Sequence, residues 1–280
     1  MDQTPVTAKS LGRSYMIDAG TLEHAYKYTW SGFLGWEHRS HADNWVLLPD
    51  NLGPHLSIDE SCLHDDLFTI VTNKEGHGRS GTIVAMVRGT KAEDVIKVLM
   101  QIPEEERKKV KEVTMDLSES MRSIIEAAFP DATITLDCFH IMKRCLEAVE
   151  ELRLRYKREA QAEINREMRL PFQMYPKLKE LYDIVNKLRS IFRSKKLTRD
   201  DAKAKLHKWY QAVADCTIRE IKSARDAIKS REENVLNYFI ERSTNASAES
   251  FNSKLKAFRA QLRGIRGLPF FIFRICKVFG

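Results

Sequence analysis

Between residues 55 and 137 short β-branched runs alternate with helical stretches, and this order constrains the chain more than any other feature. In His55-Leu-Ser-Ile-Asp59, Leu56 and Ile58 face one way while Ser57 and Asp59 face the other, the period of a strand. Leu67–Asn73 (LFTIVTN) and Thr82–Arg88 (TIVAMVR) are β-branched runs joined by a glycine-containing connection, Lys74–Gly81, which predicts a hairpin. Thr90 caps a helix running to about Met100, with Val95, Val98 and Leu99 on its apolar side. A short strand, Glu112–Asp116, follows the charged stretch 103–109. Ser118–Phe129 reads as a second helix, and Thr133–Asp137 as a buried strand after the turn at Pro130-Asp131.

Strand, strand, strand, helix, strand, helix, strand builds a mixed five-stranded sheet: three antiparallel strands, then crossovers that lay helices on its faces. This is the α/β layout of the ribonuclease-H-like fold, in which the first and fourth strands lie side by side at the sheet centre. Asp59 closes the first of these strands and Asp116 the fourth. From Cys138 to about Ile240 the period is helical throughout. Leu178, Leu181, Val185, Leu188 and Phe192 form one stripe, and Thr198 caps a long helix that carries Leu206, Tyr210, Val213, Ile221 and Ile228. The expected organisation is an aromatic-rich segment over 1–54, with a helix within 20–40, and a first part of the core over 55–140. An all-helical insertion covers 141–240, and 241–280 returns to the core with a helix bearing Glu249 and a C-terminal helix.

Charge separates the same halves. Residues 1–140 hold 14 Lys and Arg against 22 Asp and Glu, a net of −8; residues 141–280 hold 32 against 17, a net of +15. Within 143–231 the balance is 24 against 13, so the helical insertion is the basic part and suits a polyanion such as DNA. Five cysteines without paired CxxC spacing exclude a disulfide framework and a zinc knuckle, as expected in a reducing cytoplasm. The first residues lack the apolar region of a signal peptide, and the longest apolar run, Leu268–Phe279, is too short and too charged to span a bilayer.

Residues 243–256, STNASAESFNSKLK, carry two helical stripes. Ser243, Thr244 and Asn245 are good N-caps; Ala248, Phe251, Leu255 and Phe258 make an apolar face, and Asn245, Glu249, Asn252 and Lys256 a polar one beside it. The fold would gather Asp59, Asp116 and Glu249, whose mutual repulsion a cation relieves. Hard oxygen ligands select Mg²⁺ or Mn²⁺, and two such ions suit an in-line displacement at phosphorus. Each Asp alone reads equally well as a strand-terminal turn former.

The segments Ser57–Glu60, Val113–Glu119, Leu136–His140 and Ser243–Lys256 resemble, in order, the blocks of the DDE transposases of the ISL-three insertion-sequence family. Phe258–Gly267 is similar to the basic, glycine-containing tail of that family's last helix, and the resemblance spans about residues 50–280. It implies that Asp59, Asp116 and Glu249 are the metal-binding triad. The activity it implies is nicking of element ends followed by joining of the freed 3′-hydroxyl to target DNA in the bacterial cytoplasm, close to the nucleoid. It places His140 near the scissile phosphate, beside the alternative that His140 merely caps or packs at a helix start. Asn252, Lys256, Arg259 and Arg263 become candidate DNA contacts, and a homo-oligomer bridging two ends is expected. The family's usual N-terminal zinc-binding and helix-turn-helix region has no counterpart in residues 1–54, so a separately encoded end-reading protein is an expected partner. Arg169-Leu-Pro-Phe172 arrives early in the insertion, which also leaves open an inactive remnant that only binds DNA through its basic helical half.

Overall fold

A computed structural model of the chain describes residues 6–63, 65–164, 175–262, 265 and 267–280. The chain divides into two compact units, one formed by residues 1–134 and 245–280, the other by 135–244. The first is a mixed α/β unit around a six-stranded sheet with strand order β1-β4-β3-β2-β5-β6, an arrangement of the ribonuclease-H-like kind. Its strands are β1 (Trp45–Leu47), β2 (His55–Leu63), β3 (Asp66–Asn73), β4 (Ile83–Arg88), β5 (Glu112–Met115) and β6 (Thr133–Leu136), the last of which leads out of the unit.

The β-branched runs form the antiparallel part. β2 pairs with β3 from Leu56↔Asn73 to Leu63↔Asp66, and β3 with β4 from Thr69↔Val87 to Thr72↔Ile83, with a register shift between Val71 and Thr72. β5 returns parallel to β2, pairing His55↔Glu112, Leu56↔Val113 and Ser57↔Thr114. Helices α3 (Ala92–Leu99) and α5 (Glu119–Ala128) flank the sheet in the crossovers. Ser118 caps α5 with its hydroxyl accepting from Met121 N, whereas Lys91, one residue beyond the expected Thr90, holds the N-cap position of α3 without a side-chain bond. Short helix α4 (Glu104–Arg107) sits between them, and its buried Arg107 guanidinium donates to the carbonyls of Ile102 and Ala128.

A sixth strand corrects the five-stranded expectation. β1 is only three residues long, Trp45-Val-Leu47, too short to show alternation, and it extends the sheet by pairing antiparallel with β4. The helix expected within 20–40 is shorter than its period suggests. After α1 (Ala8–Tyr15), α2 spans Ala19–Ala25 and passes into a π-type turn over Tyr26–Trp30, closed by a hydrogen bond from Ser31 N to Tyr26 O. Gly32, at φ 83°, then takes a left-handed conformation that a side chain would resist, and the chain leaves the helix.

Two late helices complete this unit, α11 (Ala246–Gln261) and α12 (Leu268–Phe279). Ala248, Phe251, Leu255 and Phe258 of α11 are all buried, the last three packed with Phe271, Ile272, Ile275 and Phe279 of α12 against Phe68, Ile70, Ile83 and Met86 of the sheet. The last carbonyls of α12 also accept from the β3–β4 connection, Thr82 N to Phe279 O and Gly81 N to Gly280 O.

The second unit is helical: α6 (Cys138–Ile164), α7 (Pro176–Arg193), α8 (Arg199–Asp215), α9 (Arg219–Lys229) and α10 (Glu232–Glu241). The stripe Leu178, Leu181, Val185, Leu188 and Phe192 is buried as its spacing implies. Thr198 and Asp201 form a reciprocal capping box at the start of α8. The single long helix expected beyond Thr198 is instead two, because Cys216–Ile218 turns extended at the end of α8 and the Cys216 sulfur accepts from Ile218 N. The apolar period continues across that break, which hides it. The early Arg169–Phe172 motif lies outside the described residues.

Replacing Phe251 by Ala removes a ring that is 1% exposed at the junction of α11, α12 and the sheet. Urea denaturation of the full chain is expected to show a loss of about 3–5 kcal/mol; a loss below about 1 kcal/mol would mean that α11 is not held by this face.

Candidate active site

Parallel pairing of β2 and β5 carries two acids to one edge of the sheet. The register His55↔Glu112 to Ser57↔Thr114 leaves Asp59 and Asp116 each two residues past the last paired position, where β5 ends. β2 itself runs on to Leu63, still paired with β3, so Asp59 lies within its strand and does not close it as expected. Each is half-buried and each carboxylate is fixed locally: Asp59 Oδ1 accepts from Glu60 N at 2.8 Å, and Asp116 Oδ1 from Ser118 N at 2.8 Å.

Helix α11 lays its polar stripe on this edge. Asn252 Nδ2 donates to Asp59 Oδ2 at 2.7 Å and lies 3.5 Å from the Glu60 carbonyl oxygen. Glu249 is half-buried, three residues before Asn252 and so on the same helical face. Asn245, at the head of the stripe, is fully buried and occupies the N-cap position without a side-chain capping bond, unlike the capping expected of it. Lys256, two turns beyond Glu249, is exposed. Among the described residues, the carboxylate oxygens of Asp59, Asp116 and Glu249 are not all within 4.8 Å of one another.

A fourth acid stands in the same field. The Glu60 carboxyl is raised above the ordinary glutamate range, first by its own partial burial and then by the negative charges of Asp116 and Asp59. Period-2 alternation assigns Glu60 to the opposite face of β2 from Asp59, so sequence reading passes over it. The signal was its place next to Asp59 on a strand whose neighbour ends in another Asp.

The remaining candidates lie in different settings. Arg259 pairs with Asp65 at 2.9 Å, and nearby Lys254 donates to the His77 and Gly78 carbonyls at 3.0 Å each, tying α11 to the β3–β4 connection. Arg263 lies outside the described residues. His140 belongs to the helical unit, at the start of α6, where its Nδ1 is 2.9 Å from an oxygen of the buried Asp137. With Asp137 ionised, that contact holds the imidazole proton on Nδ1 and fixes the ring.

An α/β unit with acids at matching positions of two adjacent parallel strands, and a helix docked over one of them, is a scaffold of the ribonuclease-H-like kind. A model of the ISL-three DDE transposase family, described as transposase, matches this chain over residues 56–170 and 161–275. The chain belongs to that family of transposases, enzymes that cut and join polynucleotides, and DNA is therefore its partner. No curated protein matches it. Among the described residues no helix is long and apolar enough to cross a membrane.

Two outcomes are expected at this edge. A double-mutant cycle between Asp59→Ala and Asn252→Ala should give a coupling of about 1 kcal/mol in urea denaturation, and additivity would deny the bond a part in docking α11. The folded chain holds the Glu60 proton more tightly than the unfolded one. Stability from this group is therefore present below the ordinary glutamate range and is lost as pH rises through the raised value. Glu60→Gln should accordingly gain stability relative to wild type between about pH 4 and pH 7; a constant difference across that range would deny the repulsion.

Proposed function

We propose that this protein is the catalytic part of a DDE transposase, which cuts DNA at element ends with water and transfers the freed 3′-hydroxyl to target DNA. The observation that carries the reading is the docking of the Glu249 helix, through Asn252 and Asp59, over the shared edge of β2 and β5. In the transfer step the 3′-hydroxyl oxygen forms one phosphodiester bond as another breaks, so the chemistry needs positioned oxygens and charge neutralisation rather than an activated side-chain nucleophile.

The donor set fits hard divalent cations. Its donors are carboxylates, they come from three elements, and the charges of Asp116 and Asp59 add to burial in opposing ionisation of Glu60. Asp59, Asp116 and Glu249 would hold Mg²⁺ or Mn²⁺, in the proposed reading two ions. When bound, such ions supply activation of the attacking oxygen and stabilisation of the leaving one. Asn252 orients Asp59. His140, held by Asp137, contacts phosphate or moves a proton. Lys256, Arg259 and Arg263 neutralise backbone phosphates, Arg259 by exchanging Asp65 for a phosphate oxygen. The assembly would be a multimer in the cytoplasm, served by a separately encoded end-reading protein.

A second reading, an inactive remnant that only binds DNA, draws on one observation. The family match is made in two stretches that overlap at 161–170, near the early Arg169–Phe172 of a shortened insertion.

Asp59→Asn, Asp116→Asn and Glu249→Gln are each expected to lower Mg²⁺-dependent nicking of element-end DNA about 100-fold or more, in assays that include the end-reading protein. Mg²⁺ should raise the melting temperature of the wild type and not that of the variants, since only a ligand that binds the folded state stabilises it. Undiminished nicking by any one variant would remove that residue from the triad. Metal-independent binding that weakens steeply with salt, with no nicking by the wild type, would select the remnant.

A further inference from the structure

The helical unit has an open groove of about 1120 Å³ between α6, α7 and α10. Its wall is apolar and aromatic: Phe139 and Leu146 remain 55% and 38% exposed on α6, with Tyr238 on α10 and Phe192 on α7 behind them. The Cys138 thiol in the same wall is pushed up to about 11, chiefly by burial, and so stays neutral. Cations occupy the lining beside these groups. Lys143, Arg193 and Lys195 are exposed, and among the described residues no carboxylate pairs with them. Arg189 donates only sideways to Asn186, at 2.8 Å, and Arg242 lies over the Tyr238 and Phe239 rings while donating to the Leu197 carbonyl. Two acids also line the groove, Glu147 and Glu150, and Glu150 is already neutralised by Arg153 at 2.6 and 2.8 Å.

We propose that this groove binds unpaired DNA, with bases stacked on Phe139 and phosphates on Arg193, Lys195 and Lys143. An exposed ring beside unpaired cations complements a chain that offers both π-faces and regularly spaced negative charge. Duplex DNA presents the charge but keeps its bases stacked inside, so it would meet the cations and leave Phe139 uncovered. An acidic amphipathic peptide would satisfy the cations too, but it gains nothing specific from a planar ring. The groove is made wholly of helical-unit residues, and the proposal stands whether or not the carboxylates of the other unit cut DNA.

The test is binding without chemistry. With the full chain in EDTA at fixed salt, the affinity for a fluorescent single-stranded oligonucleotide is compared with that for the duplex of the same sequence. Phe139→Ala and Phe139→Leu are each expected to weaken single-strand binding about 10-fold and to leave duplex binding within about twofold, while Phe139→Tyr keeps the wild-type affinity. Changing both Arg193 and Lys195 to Gln should lower the salt slope for single strands by about 1.4. The Leu variant preserves apolar bulk, so its loss reports the ring rather than the fold, and a base analogue such as 2-aminopurine should be quenched only where Phe139, or Tyr in its place, is present. Single-strand affinity unchanged in both the Ala and Leu variants, or equal losses on single strand and duplex, would overturn the proposal and leave the groove to a protein partner.

Discussion

The candidate site depends on how one amphipathic helix, α11, divides its two faces. Phe251, Leu255 and Phe258 are within 2% of full burial, and each contributes about 1.5–3 kcal/mol by leaving water. The hydrogen bond from Asn252 to the Asp59 carboxylate contributes less than the three together, about 1.5–3 kcal/mol at most for a bond to a charged group in a half-buried place. The apolar face therefore holds the helix down. Asn252 sets its rotation and its register along β2, since no apolar contact distinguishes one turn from the next as sharply as a 2.7 Å bond to a single oxygen. Glu249 inherits that placement without needing a bond of its own to the sheet.

This division explains why acids can be kept together without collapsing the fold. Parallel pairing sets Asp59 and Glu60, within β2, beside Asp116, just past the end of β5, and repulsion between their charges is the local cost. The cost shows in Glu60, which resists ionisation. It is offset by distant burial: Phe68, Ile70, Ile83 and Met86 on the sheet and the aromatic face of α12 support the edge from beneath. In the proposed reading, cations bound there would relieve the strain while the core stays as it was.

Much of this was legible in the chain because two periods are strong. Strands β2 to β6 show alternation or β-branched runs, and α7 and α11 show near-complete apolar stripes that are buried where the spacing says. The failures have physical reasons. Trp45-Val-Leu47 is a strand only because β4 offers it an open edge, which no local propensity encodes. The break at Cys216–Ile218 leaves the apolar period intact, so it is visible in backbone angles and not in pattern. Glu60 was missed because alternation describes one strand at a time, whereas its environment is set by the end of a neighbouring one. The groove beside Phe139 was missed for the related reason that a ring on one helix and cations on another do not share a period.

Charge divides the sequence more sharply than it divides the two units. The helical unit is basic, whereas in the sheet unit the cations of residues 245–280 nearly offset the acids of the strands, leaving 21 Lys and Arg against 22 Asp and Glu. The repulsion that a phosphate meets in the sheet unit is therefore local, confined to the carboxylates around Asp59, Glu60 and Asp116. In the proposed reading, DNA binding and phosphate chemistry are then separable. Affinity would draw on cations such as Arg193 and Lys195, while access of a phosphodiester to Asp59 and Asp116 would require that their charge first be neutralised. Lys256 and Arg259 on α11 are the exception, cations carried on the helix that presents Glu249. Their positions along α11 from Glu249 follow the helical repeat, so one rigid element presents an acid and cations in a fixed order.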